Sequence, residues 1–444
     1  MPDAPPFEPR SPFETAFRTA IEGADAYRAV RAGLRLHDDI LRIGNRFVSV
    51  DRFREIAFVA LGNAAGSMAL AAQEMLGERL TQGLTAGAVA PPDSLQFHYL
   101  AVPDPWPGSS PSFSALASTL ELARDLQAED LLLLLLSPGA LSVTAGPPTG
   151  WEGSAWRQLL QNVTARAGPL DAVRVARVLG TGAVGGRLGA LVREPTVVTL
   201  VLDRGEGAEW VGGGPTVSLR LQEASAVRTL MSGTSAVDLP RDSPPLLGRN
   251  VHRPVVVTGP IDAVEAAGNQ LAGQGWISRM ISLHLQGPPD QVASQFVEGM
   301  ETIRREQVAE PRRPRTEGEE REGGAALPSI TVPSTATPAA RPESRGLAVF
   351  AGATFDTVEG GERGEDVRAF LRAAARQSIR REVYVGALRT AGGIPTRGEG
   401  AGAWLGRRVG ADPAAEPTIE SFAVRAGFTD VGTMLVGFAP WVAR

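Results

Sequence analysis

"FVALGNAAGSMALAAQ" (58–73) is the stretch on which the reading of the fold turns. A short apolar run ends at Gly62, and small residues then open a helix with Met68 on its apolar face. A strand, a glycine turn and a helix amino terminus together form a ready site for an anion. Such sites usually add a cationic side chain, yet the residue after Gly62 is Asn63.

The same alternation continues outward. Strand-like runs are "EIAFVALG" (55–62), "SLQFHYLAV" (94–102), "DLLLLLLS" (130–137), "TVVTLVLD" (196–203), "RPVVVTG" (253–259) and "SRMISLHLQ" (278–286). Helical patterns lie at 64–79, 113–127, 261–273 and 288–307. Runs that are apolar on both faces suit central parallel strands buried by helices on either side. The pattern therefore predicts an α/β fold with a Rossmann-like parallel sheet. Residues 310–346 are rich in Pro, Glu, Arg, Ser and Thr and read as a disordered tether. Regular patterns resume with "GLAVFAGATF" (346–355), a helix near 365–378, "REVYVGAL" (381–388) and "TMLVGFAP" (433–440). The expected organisation is an N-terminal α/β domain over 1–305, a linker over 306–345 and a smaller α/β domain over 346–444.

Composition narrows the functional classes. The 444 residues carry a formal charge of −5 and no cysteine, which excludes disulfides, thiol catalysis and Cys-based zinc sites. His37, His98, His252 and His284 are scattered without the spacing of a metal site. No polybasic arm appears, so nucleic acid is not an expected partner. The apolar run Leu131–Leu136 falls far short of the ~20 residues needed to span a bilayer. The acidic, Pro-rich amino terminus has no apolar signal core, and the expected location is cytoplasmic. Every basic residue is arginine; the chain contains no lysine.

Two glycine signals compete. Gly180, Gly182 and Gly185 have G-x-G-x-x-G spacing, with Asp203 about twenty residues on and able to meet a ribose hydroxyl. That reading makes the chain an NAD(P)-binding oxidoreductase. The preceding residues, 164–179, read equally well as an amphipathic helix, so the alternative stays open.

The second signal is a series of motifs in order: "GNAAGSMALAAQEMLGERLTQGL" (62–84), "AVPDP" (101–105), "AEDLLLLLLSPGALSV" (128–143), "RVLGTGAVGGRLGAL" (177–191), "TLVLDRGEGAEWVGGGPTV" (199–217) and "AGATFDTVEGGERGEDVRAFLRAAA" (351–375). This series resembles the class II glycerate kinases, an ATP-dependent glycerate 2-kinase family whose smaller C-terminal domain is called MOFRL. The resemblance implies ATP and Mg²⁺ as cofactors and a small anionic metabolite or nucleotide as ligand. It implies Asp203 as metal ligand or partner of the attacking hydroxyl, with Asn63 where the family places its lysine. It also implies nucleotide or substrate contacts at Gly62, Ser137, Gly139, Arg177, Glu206, Gly214, Thr216 and Arg363.

The departures from that pattern all remove charge or donors. Asn63 replaces the lysine. Asp366 and Val367 stand where the family has an arginine and an asparagine, and Ala353 stands for a glutamate. Val178 and Val184 replace two lysines, and Pro138 removes a backbone N–H from the glycine-rich loop. One preorganised charge on a developing oxyanion is worth a factor of about 10²–10³. The expected protein is therefore a degenerate kinase scaffold with weak or no phosphoryl transfer. An active enzyme would need relocated cations, for which Arg46, Arg52, Arg54 and Arg363 are candidates. A structural or regulatory partner protein is a further alternative, with the oligomeric state open.

Overall fold

The computed structural model describes residues 10–103, 106–192, 194–205, 207–232, 249–309, 345–355, 365–378, 384–389, 401–406, 419–424 and 433–440. Two helices, α1 (Arg10–Gly23) and α2 (Ala26–Gly33), lead into an antiparallel meander, β1 (Leu34–His37), β2 (Ile40–Ile43) and β3 (Arg46–Ser49). A six-stranded sheet follows. Its strands are β4 (Ile56–Leu61), β5 (Leu80–Gly87), β6 (His98–Ala101), β7 (Leu131–Leu136), β10 (Thr196–Leu202) and β11 (Val255–Thr258), in the order β11-β10-β7-β4-β5-β6. Every pairing in it is parallel.

Every residue of β4, β7 and β10 is buried, as expected of strands covered on both faces. The chain lays down β5 and β6 to one side of β4, then returns to lay β7, β10 and β11 on the other. The order reverses between β4 and β7, and in open α/β sheets ligands bind in the crevice beyond the strand ends at such a point.

Helices α3 (Ala65–Leu76) and α10 (Pro260–Gly273) join α1 and α2 on one face, against Phe58, Ala60, Leu133 and Leu200. The opposite face, with Val59, Leu134 and Val201, packs against α4 (Ser110–Asp125), the short α5 (Leu141–Thr144) and α8 (Arg187–Leu191). An outer helical unit, α6 (Gly153–Ala167), α7 (Pro169–Leu179) and α9 (Leu221–Met231), has its own core around Trp156, Leu160 and Val175.

The second sheet has the order β12-β13-β17-β14-β15-β16, from β12 (Trp276–Gly287), β13 (Gly346–Phe355), β14 (Tyr384–Arg389), β15 (Ala401–Gly406), β16 (Ile419–Val424) and β17 (Thr433–Pro440). Composition placed a boundary at 305, but this sheet begins at Trp276. β12 pairs in parallel with β13, and α11 (Pro289–Ala309) packs beside α12 (Glu365–Ser378) on the sheet's outer face. A change of composition marks where a chain leaves a core, not which sheet its last strand joins. Most of the expected linker, 310–344, lies outside the described residues. The inner face of the second sheet, with Phe350, Val436 and Phe438, shares one apolar core with α1, α10 and the first sheet. Phe13 of α1 meets Phe438 edge-on at 4.7 Å between centroids. The two sheets are thus joined through a common helix layer.

Candidate functional site

Register brings the carboxyl ends of three strands together. Leu61 of β4 and Val201 of β10 both align with Leu136 of β7, so Gly62, Ser137 and, one residue later, Asp203 emerge side by side. This is the reversal point of the sheet, and it gathers Gly62, Asn63, Ser137, Gly139 and Asp203.

The two central loops close on each other. Gly62 has φ +111°, and a Cβ there would lie 2.5 Å from Ser137 Oγ. The Asn63 N–H donates to the Pro138 carbonyl at 2.9 Å. The Ala64 N–H donates to Ser137 Oγ at 3.0 Å, and that hydroxyl donates to the Leu61 carbonyl at 3.2 Å. The Asn63 side chain lies against Gly139, whose Cβ would come 2.7 Å from Asn63 Oδ1. Pro91 crowds the first turn of α3 at Gly66, where a Cβ would sit 2.7 Å from the proline Cα. The turn keeps the shape of an anion cradle, but two of its N–H groups are spent on the neighbouring loop, and Pro138 supplies a carbonyl where a cradle would supply a donor.

Asp203 leaves β10 with its N–H bonded to the Thr258 carbonyl at 3.0 Å. Its carboxylate oxygens accept the Gly207 N–H at 3.1 and 3.2 Å, which folds the loop back on itself. Glu206 lies outside the described residues, as does Arg363. Among the described residues no three His, Cys, Asp or Glu gather into a group that could hold a metal. Among the described residues, Asp203 brings a carboxylate to a turn in which the Asn63 and Ala64 N–H groups are already engaged.

Arg177, Gly214 and Thr216 form a separate cluster. Gly212, Gly213 and Gly214 take φ of +60°, +68° and +59° in succession, a path only glycine follows without strain. A Cβ on Gly214 would also collide with Nη1 of Arg177. The Gly185 and Gly186 N–H groups donate to the Gly213 and Gly214 carbonyls at 2.8 and 2.9 Å. The Thr216 hydroxyl meets that of Thr199 at 2.9 Å inside the core.

Arg177 is buried beneath this loop. Nε donates to Glu223 Oε2 at 2.7 Å and Nη2 to Oε1 at 3.1 Å, while Nη1 donates to the carbonyls of Glu209 and Gly213 at 2.9 and 3.1 Å. Its guanidinium also lies 5.1 Å from the Trp210 ring centroid. The sequence pointed Arg177 at a nucleotide or substrate; the fold instead encloses it as a brace between α7, α9 and the glycine loop. Arg187 joins the brace through Nη1, which donates to the carbonyls of Arg177 and Val184, and burial beside Arg177 lowers its pKa. Sequence reasoning missed Glu223. The signal available was its place three residues after Arg220, whose N–H it accepts at the start of α9.

One sequence alternative is corrected here. Gly180-x-Gly182-x-x-Gly185 follows a helix, α7, and not a strand. Gly180 caps that helix, and Thr181–Gly182 forms a two-residue strand, β9, against β8 (Ala145–Gly146). A dinucleotide fingerprint needs the glycines between a strand end and a helix start, so the NAD(P) reading fails. Of the four candidate relocated arginines, three lie away from the carboxyl ends of the strands, and Arg363 lies outside the described residues. Arg54 precedes β4, where Nε and Nη2 donate to Asp130 at 3.0 and 2.7 Å. Arg46 touches His252, ahead of β11, and Arg52 sits over the Phe53 ring. Arg54 thus stands at the amino end of β4, about 20 Å of strand from its carboxyl end. Arg46 and Arg52 likewise bind partners that precede the strands. Asp366 opens α12 and accepts its neighbour's N–H from Val367 at 2.8 Å, which suits an acid in a first helical turn.

No helix among the described residues is long and apolar enough to cross a membrane. The family described as "Domain of unknown function (DUF4147)" matches residues 13–242. Among curated proteins, the chain is 25% identical to glycerate kinase of Homo sapiens over 312 residues, 64% of this chain and 59% of that one. It is 24% identical to glycerate kinase of Danio rerio over 217 residues, 45% of this chain and 43% of that one. The matches therefore span about half the length of those relatives. Among solved structures, glycerate kinase of Thermotoga maritima superposes with a TM-score of 0.65 at 18% identity, covering 97% of this chain and 99% of that one. The PH0495 protein of Pyrococcus horikoshii superposes with a TM-score of 0.66 at 17% identity, covering 98% and 99%.

Proposed function

The chain belongs to the DUF4147 family, and from that premise we propose that it is a glycerate-kinase-like protein with weak or no phosphoryl transfer. We read its second sheet as the MOFRL-like unit. The observation that carries the reading is the closed turn at the sheet's reversal point. Asn63 stands there without charge, and the Ala64 N–H is held by Ser137 Oγ. Phosphoryl transfer is almost entirely positioning and electrostatic stabilisation, so a cleft that has lost its usual lysine and arginine loses most of its rate. Kinases turn over at about 1–100 s⁻¹. Two lost charges, at about 10²–10³ each, bring the expected rate below ~0.01 s⁻¹.

The test is ADP release by the purified full chain with Mg²⁺-ATP and D-glycerate. Turnover at ordinary kinase rates ends the proposal. A second reading, an active glycerate 2-kinase, is favoured by Asp203 standing at the carboxyl edge of β10 beside Ser137. It requires Asp203→Ala to abolish turnover.

A further inference from the structure

The meander β1–β3 presents a face that the candidate site does not use. Leu41 and Ile43 of β2 turn inward and are buried, so Ile40 and Arg42 turn outward. The pairing sets His37 and Ser49 beside Ile40, and Arg35 and Phe47 beside Arg42. The outer face thus consists of two cross-strand rows, His37–Ile40–Ser49 and Arg35–Arg42–Phe47. Ile40 is 44% exposed and Phe47 71%.

This arrangement works against the stability of the isolated chain. Like charges directly opposite on neighbouring strands destabilise a sheet, and Arg35 faces Arg42. Among the described residues neither arginine forms an ion pair; Arg42 donates from Nε to the Gly44 carbonyl at 2.9 Å. The β1–β2 turn carries two acids. Asp38 faces His37 at 3.8 Å, and Asp39 is held by Arg79 at 2.7 Å. Two neighbouring guanidinium groups therefore lead across the row to an exposed phenyl ring beside Arg42, with no carboxylate in that row.

We propose that this face docks an acidic polypeptide segment carrying an apolar anchor residue. Its carboxylates meet Arg35 and Arg42, and its apolar side chain covers Phe47 and Ile40. Three features favour a peptide over a nucleic acid. Among the described residues β1 and β3 each pair only with β2, which leaves an outer edge on each for a further strand. Four-residue strands span about 13 Å, which fits two carboxylates and is too short for a track of phosphates. The chain's charge of −5 also opposes a long polyanion.

The test is fluorescence anisotropy of the full chain titrated against three labelled probes: a peptide of alternating glutamate and leucine, its lysine-for-glutamate counterpart, and a single-stranded thymidine oligonucleotide. Saturable binding of the acidic peptide alone is expected, weakening as salt is raised. Arg42→Glu, Arg35→Glu and Phe47→Ser should each weaken it by about tenfold or more, with thermal melting no lower for the two charge reversals. All three side chains are exposed, so at least one variant will fold. Binding unaffected by the folded variants, no saturable binding of the acidic peptide, or tighter binding of the lysine peptide or the oligonucleotide would overturn the proposal. None of these readings depends on kinase activity.

Discussion

Replacing Glu223 by glutamine isolates the brace beneath the glycine loop. The substitution keeps the side chain's shape and leaves the Arg177 charge in place, with that side chain 1% exposed and its partner 7%. The pair makes two parallel contacts, at 2.7 and 3.1 Å. Breaking a buried pair by removing one charge typically costs about 3–5 kcal/mol, because the other charge stays buried. The carbonyls of Glu209 and Gly213 still receive Nη1, which places the expectation toward 3 kcal/mol. With a urea dependence near 3 kcal/mol per M, the unfolding midpoint falls by about 1 M. Tryptophan fluorescence is a suitable readout, since Trp210 lies against the Arg177 guanidinium. Arg177→Met with Glu223→Leu removes both charges at once and should recover most of the loss. A loss below about 1 kcal/mol for Glu223→Gln, or a double variant no better than the single one, would refute the brace. Arg177 would then return as a ligand-binding candidate.

Three further outcomes follow from the geometry. Ser137→Ala takes the acceptor from the Ala64 N–H and the donor from the Leu61 carbonyl, and should cost about 1–3 kcal/mol in urea unfolding; no change would mean the two loops are not locked. Phe13→Ala hollows the helix layer beneath Phe438 and should cost about 3–5 kcal/mol by calorimetry, whereas a loss under 1 kcal/mol would contradict a core shared by both sheets. Burial pushes the Asp130 carboxyl up, but the Arg54 hydrogen bond and the Gln127 N–H bring it below the ordinary range. A depressed folded pKa stabilises the fold above the unfolded value of about 4, and that contribution is lost as pH falls through the folded value. Arg54→Met should therefore differ most from the parent at neutral pH and converge with it as pH falls below the ordinary carboxylate range, a trend that parallel melting curves will show or deny.

The parallel sheet was legible because β4 and β7 are apolar on every residue and β10 on all but two threonines, and because they stop at Gly62, Ser137 and Asp203. Those strand ends also gave the members of the candidate site that the fold gathers. β5 was missed because "LTQGLTAG" is polar and glycine-rich, with Thr81 and Gln82 exposed. The meander was missed for a similar reason: its four-residue strands are too short to establish alternation. The glycine triplet misled because Val175–Leu179 is buried at every position, so the end of a sunken helix mimics a strand. Arg177 could not be read correctly, since its partner Glu223 lies 46 residues away and only the fold brings them together. The second sheet's start at Trp276 was hidden in the same way, because β12 finds its partner β13 across the expected linker.

On the proposed reading, the turn at the reversal point of the first sheet, with Asn63 in place of a cation, no longer supports phosphoryl transfer. Steady-state ADP release by the full chain with saturating Mg²⁺-ATP and D-glycerate tests it most directly. The account predicts a glycerate-dependent rate below about 0.01 s⁻¹, and a rate of about 1 s⁻¹ or more would contradict it.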